Sequence, residues 1–139
     1  MFLRPKANTE NVMPYEYYNL NPAGKAVGDC TIRAISKALG QSWEKTYVEL
    51  SLEGFTRGDL PNADSVWGAY LRNHGFSRYL VPDNCPECIT VERFAEENQK
   101  GTFILSMPGR HVVAVVDGIY YDSWQSGQEE PTYYWTKET

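Results

Sequence analysis

Cys30 stands where a Gly/Pro/Lys loop, NPAGKAVGD, gives way to a helix pattern, TIRAISKALG. At a helix N-terminus the unpaired backbone N–H groups and the helix dipole favour a thiolate, lowering its pKa from roughly 8.5. A following backbone N–H can also hold an oxyanion. Asp29 opposes this, because a neighbouring carboxylate disfavours a second negative charge. Taken alone, Cys30 is equally well a small buried apolar side chain. A thiolate nucleophile needs a base, and the chain has two histidines. His74 ends a helix pattern before Gly75 and reads as a C-terminal cap. His111 follows the turn MPGR and opens the apolar run HVVAVV, so a rigid strand positions it.

A base imidazole in turn needs an acceptor on its far nitrogen. Asp117-Gly118 lies between two β-branched and aromatic runs, a hairpin signal. With a two-residue turn there, Val116 pairs with Ile119, Ala114 faces Tyr121, Val113 faces Asp122, and His111 lies near Trp124. Asp122 then shares the face of His111, displaced diagonally by roughly 7 Å. Asp117 belongs to the turn. The candidate set is Cys30, His111 and Asp122.

These residues depend on the elements around them. The first helix is expected over 29–39, with Asp29 at its N-cap, Ile32, Ile35, Ala38 and Leu39 as its apolar face, and Gly40 as its stop. A second, capped by Ser42, is expected over 43–53, with 55–64 as loop. A third covers 64–74, and a fourth runs from the cap Thr90 to Gly101. Strands are expected at 15–20, 76–81, 102–107, 111–116, 119–124 and 132–135. Residues 1–14 read as a loosely held arm before a single domain over 15–139. The order, helices and then an antiparallel sheet, is an α+β layout.

Composition bounds the function. The 139 residues hold 42% apolar and 14% aromatic residues, enough for one core without staples. The net charge of −5, with no Lys/Arg cluster, argues against nucleic acid. The N-terminal stretch carries no apolar run long enough for a signal peptide or membrane span. Three irregularly spaced cysteines are not a secreted disulfide framework. The expectation is a cytoplasmic protein whose cysteines are thiols.

The stretches GDCTIRAISKAL and GRHVVAVVDGIYYDSW together resemble the papain-like cysteine peptidases, in the compact form of bacteria and phages near the bacteriocin-processing peptidases. DSW (122–124) is similar to the Asn-Ser-Trp of papain, where a tryptophan shields the acceptor–histidine bond. The resemblance implies a papain-like fold, N-terminal helices packed on a C-terminal antiparallel sheet. It also implies a Cys30–His111–Asp122 triad acting on a peptide or protein substrate by acyl transfer, with no metal or organic cofactor. The setting would be a bacterial cytoplasm, or an infected cell if the chain is phage-encoded. Thr31 stands where papain has Trp, and the Cys-to-His gap of 81 residues is far shorter than papain's. The glutamine that the family places five or six residues before its cysteine is replaced by Lys25 and Gly24; Asn21, and after it Asn19, is the substitute oxyanion donor. Trp124 and Arg33 are candidates for the cleft, Arg33 also for a local pair with Asp29.

Two other functions fit parts of the sequence. Loss of the glutamine suits a non-catalytic interaction protein on the same fold, for instance a phage protein that binds a host factor. Cys85-x-x-Cys88 suits a redox dithiol or half a zinc site, but it lacks the βαβ context or further ligands. Packing of these cysteines under the fourth helix is the plainer account. The aromatic tail PTYYWTKE fits sheet packing or a groove wall.

Overall fold

Apolar residues spaced for helices fill the first half of the chain, and β-branched and aromatic runs fill the second; local structure follows that division. The computed structural model describes residues 13–82 and 88–137. In chain order the elements are β1 (Tyr15–Tyr17), α1 (Cys30–Leu39), α2 (Trp43–Arg57), α3 (Asp64–Asn73), β2 (Phe76–Leu80), α4 (Val91–Glu97), β3 (Thr102–Met107), β4 (His111–Val116), β5 (Ile119–Asp122) and β6 (Tyr133–Lys137). Among the described residues, four helices accompany one sheet, ordered β1-β5-β4-β3-β6-β2, in an α+β arrangement.

The hairpin that carries the candidate residues is built as its sequence dictates. Asp117 (φ 49°) and Gly118 (φ 82°) both take positive φ, as a two-residue turn matched to strand twist requires. Val116 pairs with Ile119 and Ala114 with Tyr121, which fixes the register from His111 to Asp122. The run HVVAVV is apolar throughout because both faces of its strand are covered. Val112 and Ala114 join Ile104 and Trp135 in a core with Ala34 and Ile35 of α1, Leu50 of α2, and Trp67, Tyr70 and Leu71 of α3. Val113 and Val115 join Leu105 and Tyr120 in a second core with Val91, Phe94 and Ala95 of α4. Each such side chain, fully buried, contributes roughly 1.5–3 kcal/mol. This two-sided packing fixes β4 against α1, the element that begins at Cys30.

The sheet departs from the expected order in two ways. It is not wholly antiparallel: β1, from before the helices, runs parallel to β5, with Tyr17 opposite Asp122. It is not confined to the C-terminal half either. β6 inserts between β3 and β2, so Phe76–Leu80 joins the sheet at its far edge. Short edge strands gain from pairing with any compatible neighbour, and that pairing is invisible to local periodicity.

Helix ends differ from expectation by a few residues. α2 continues through residues 55–57, expected as loop, and stops at Gly58 in the left-handed region. Ser42 Oγ caps it by accepting from the Lys45 N–H at 3.0 Å. α4 ends at Glu97 rather than near Gly101, though Thr90 caps it as expected. β5 stops at Asp122, short of residue 124. The expected arm 1–14 lies outside the described residues up to position 12.

Gly54 of α2 is where two backbones touch: a Cβ there would stand 2.6 Å from the Asp59 carbonyl oxygen. Gly54→Ala gains roughly 1 kcal/mol of helix propensity, but it forces a backbone shift costing about 1–3 kcal/mol. The clash wins because the obstacle is main chain. We expect a lower Tm for the variant in a thermal melt; an unchanged or raised Tm would show that the 59–61 loop yields freely.

Candidate active site

α1 begins at Cys30, and its first turn abuts the start of β4. The thiol is half-buried and free. It donates to the Arg110 carbonyl at 3.3 Å. Arg110 itself takes φ 69°, unusual for a residue with a side chain, and that backbone turn sits directly between the MPG loop and His111.

His111 links the other two candidates. Its Nε2 lies 2.6 Å from Asp122 Oδ2, and its ring is near enough to the Cys30 side chain for the two groups to shift each other's protonation. With Nε2 given to Asp122, Nδ1 is the nitrogen left for sulfur. Burial alone lowers the imidazole pKa, but the hydrogen bonds to Asp122 and Cys30, with their charges, raise it from 6.5 to about 9. Burial likewise raises the Cys30 thiol. The His111 hydrogen bond, the Val112 backbone N–H and the charges of His111 and Arg33 outweigh it, leaving the pKa below its ordinary 9.0. The two shifts are complementary: the pair favours thiolate and imidazolium.

Asp122 is almost wholly buried, at 1% exposure, and it is saturated. Oδ2 accepts from His111 and from Ser126 Oγ at 2.5 Å. Oδ1 accepts from Arg33 Nη2 at 3.0 Å and from the Ser123 N–H at 2.7 Å. Burial raises the carboxyl's pKa, but the His111 and Ser126 hydrogen bonds, the His111 charge and the Ser123 N–H hold it below its ordinary value. Its main chain is fixed as well. The Asp122 carbonyl accepts from the Tyr18 N–H at 2.9 Å and from Tyr15 Oη at 3.2 Å, both contributed by β1 and its exit.

Arg33 has a larger part than a local pair. Its Nη1 donates to Asp29 Oδ1 and its Nη2 to Asp122, with Arg33 only 6% exposed. Asp29 Oδ2 accepts from Trp43 Nε1 at 2.8 Å. So the Asp29 side chain caps no helix N–H. Its charge is met by Arg33 and Trp43 instead of facing the thiolate uncompensated. Two cations, Arg33 and protonated His111, balance the two buried carboxylates.

The remaining candidates are placed as follows. Trp124 is half exposed, and its ring centroid lies 5.1 Å from that of His111, so the indole covers the imidazole. Asn19 is spent on the loop: its Nδ2 donates to the Lys25 carbonyl at 3.1 Å and its Oδ1 accepts from the Asn21 N–H. Asn21 Oδ1 accepts from the Ala23 and Lys25 N–H groups. Asn21 lines a neighbouring apolar pocket beside Trp43 and Tyr47, not the cleft that contains Cys30. His74 caps α3, its Nδ1 2.9 Å from the Tyr70 carbonyl. Cys88 is disulfide-bonded, which corrects the expectation of three thiols; Cys85 lies outside the described residues.

Sequence reasoning missed Ser126 and the bridge from Arg33 to Asp122. Ser126 had no signal beyond being a polar residue four positions after Asp122. For Arg33 the signal was position: one turn after Cys30, on the helix face that meets β4. Among the described residues, no group of three or more His, Cys, Asp or Glu is placed to hold a metal ion, and no helix is long and apolar enough to cross a membrane. Comparison with protein-family models, curated proteins and solved structures found no match to this chain.

Two expectations follow from this geometry. Asp122→Asn removes the charge that supports the imidazolium, so the His111 pKa should fall from about 9 to near or below 6.5. An NMR titration of the ring reads it; a value still near 9 would show that Asp122 is not the source. Arg33→Met leaves Asp29 and Asp122 buried without their shared cation, a change that typically costs about 3–5 kcal/mol. Urea unfolding should show that loss, and a difference under about 1 kcal/mol would mean that solvent already screens the pair.

Proposed function

We propose that this chain is a cysteine-dependent acyl-transfer hydrolase with a papain-like Cys30–His111–Asp122 triad. The observation that carries the reading is His111, held by Asp122 at 2.6 Å through one nitrogen and close enough to the Cys30 thiol that each shifts the other's protonation. An isolated helix-opening cysteine has no such partner. The chemistry follows from the parts. The thiolate attacks a carbonyl carbon, forming an S–C bond. The carbonyl oxygen becomes an oxyanion, for which the Cys30 backbone N–H, at the first helical position, is an available donor. The C–N bond breaks as His111 gives its proton to the leaving nitrogen. His111 then takes a proton from water, whose oxygen displaces the thiolate from the acyl group. Asp122 keeps the ring oriented through both steps. Peptide, isopeptide and side-chain amide bonds all suit this apparatus.

One observation favours the second reading, a non-catalytic interaction protein on the same fold. The two asparagines named as substitute oxyanion donors are occupied within their own loop or turned to another pocket.

Iodoacetamide labelling with peptide mapping tests the proposal. A thiol whose pKa is lowered from its ordinary value carries more thiolate at pH 6 than an ordinary cysteine does. Cys30 should therefore react fastest at pH 6, and His111→Ala should slow it at least tenfold, because the largest of the effects that oppose burial is then gone. Slow labelling of Cys30 that is indifferent to His111 would overturn the nucleophile. After mild reduction, early labelling confined to Cys85 or Cys88 would point to redox chemistry instead.

A further inference from the structure

We infer that the cleft around Cys30 recognises a carboxylate on its substrate, close to the bond attacked; this rests on Cys30 being the nucleophile. The cleft, about 460 Å³, is lined by Cys30 and Thr31 on α1, Arg78 on β2, Arg110 and Tyr133, with Asp64 at the start of α3. Two arginines therefore line the same cavity as Cys30, against one aspartate. Asp64 is already engaged, accepting from Trp67 Nε1 at 3.1 Å.

The charges of these two arginines are left over for the cleft. Arg33, Arg57 and Arg93 each pair with a carboxylate, Lys45 lies near Glu49, and Arg72 stacks on Trp135. Among the described residues, Arg78 and Arg110 have no ion pair, although acidic residues outnumber Lys and Arg by 18 to 13. Both are solvent-exposed, so neither carries a large desolvation cost.

The Arg78 guanidinium is also held rather than loose. The Arg78 guanidinium lies over the Tyr133 ring, 4.6 Å from its centroid, which leaves the N–H groups along its edge free for a planar anion. Arg110 has its main chain fixed beside the sulfur: its φ is 69°, and its carbonyl oxygen lies 3.3 Å from Cys30 Sγ. A fork that presents paired N–H donors from a fixed base matches a planar carboxylate better than a neutral amide. The carboxylate can come from an acidic side chain or from a free chain end, which present the same group.

Paired alkylating reagents test this, and they require no identified substrate. Iodoacetate and iodoacetamide both transfer a CH₂ group to the thiolate with loss of iodide, and they differ in one negative charge. The readout is the ratio of their Cys30 rate constants. A charge about 7 Å away through water contributes roughly 0.6 kcal/mol, near threefold in rate. The ratio should fall about threefold in Arg78→Gln and further in Arg78→Gln/Arg110→Gln, hold in Arg78→Lys, and rise in Asp64→Asn. Added salt should lower it in the wild type more than in the double variant. Competition separates the sources: N-acetyl-aspartic acid amide protects Cys30 if the cleft takes an acidic side chain, N-acetyl-alanine if it takes a chain end. A ratio indifferent to both arginines, or protection by neither compound, overturns the inference while leaving a reactive Cys30 in place. Failure of Cys30 to react selectively with either reagent overturns the nucleophile itself.

Discussion

The carboxylate of Asp122 is the point at which separate stretches of chain are tied together. It accepts from the ring of His111 on β4, from Arg33 on α1, from Ser126 in the following turn, and from the Ser123 backbone. A carboxylate at 1% exposure is tolerable only when its lone pairs are met this fully. The same requirement fixes the distance between α1 and the sheet. Arg33 must reach Asp122 from the helix that starts at Cys30, so satisfying the buried charge also sets where the thiol stands relative to the imidazole. Packing of Ala34 and Ile35 against Val112 and Ala114 supplies the bulk attraction, and the ion pair sets the register within it.

The hairpin was readable because each of its signals is local. Asp117-Gly118 demands a particular turn, the turn fixes the register, and the register puts His111 and Asp122 on one face. The start of α1 was readable for similar reasons, from a glycine-rich loop and the change to helical spacing. Asp29 illustrates the opposite case. Its type fits a cap, yet its carboxylate turns to Arg33 and Trp43, because a buried guanidinium and an indole N–H together outcompete one backbone N–H. No spacing rule on α1 contains Trp43. The parallel pairing of β1 with β5 and the insertion of β6 beside β2 were hidden for a related reason: strand partners are chosen by tertiary fit, across separations that single-sequence patterns do not reach.

The site's electrostatics divide into an inner and an outer layer. Inside, Arg33 and His111 are matched against Asp29 and Asp122, and removing any one of the four leaves a buried charge uncompensated. Outside, Arg78 and Arg110 face the cleft without a protein counterion among the described residues. The inner layer sets the protonation of the sulfur and the ring; the outer one acts on whatever enters. Trp124 lies over the imidazole and reduces water access to the His111–Asp122 bond, which strengthens that bond by lowering the local dielectric.

The indole of Trp43 is the far end of an unbroken polar thread: Trp43 to Asp29, Asp29 to Arg33, Arg33 to Asp122, Asp122 to His111. Trp43 opens α2, so the first turn of one helix is hydrogen-bonded, through Asp29, Arg33 and Asp122, to the ring at the start of β4. Such couplings are reciprocal. A proton bound at His111 draws on Asp122, which loosens or tightens the hold of Arg33 and through it the seating of α2. Equally, any shift of α2 that stretches the Trp43 bond changes the proton affinity of His111 by the same free energy. The placement of a helix that touches no reacting atom is in this way a thermodynamic variable of the imidazole.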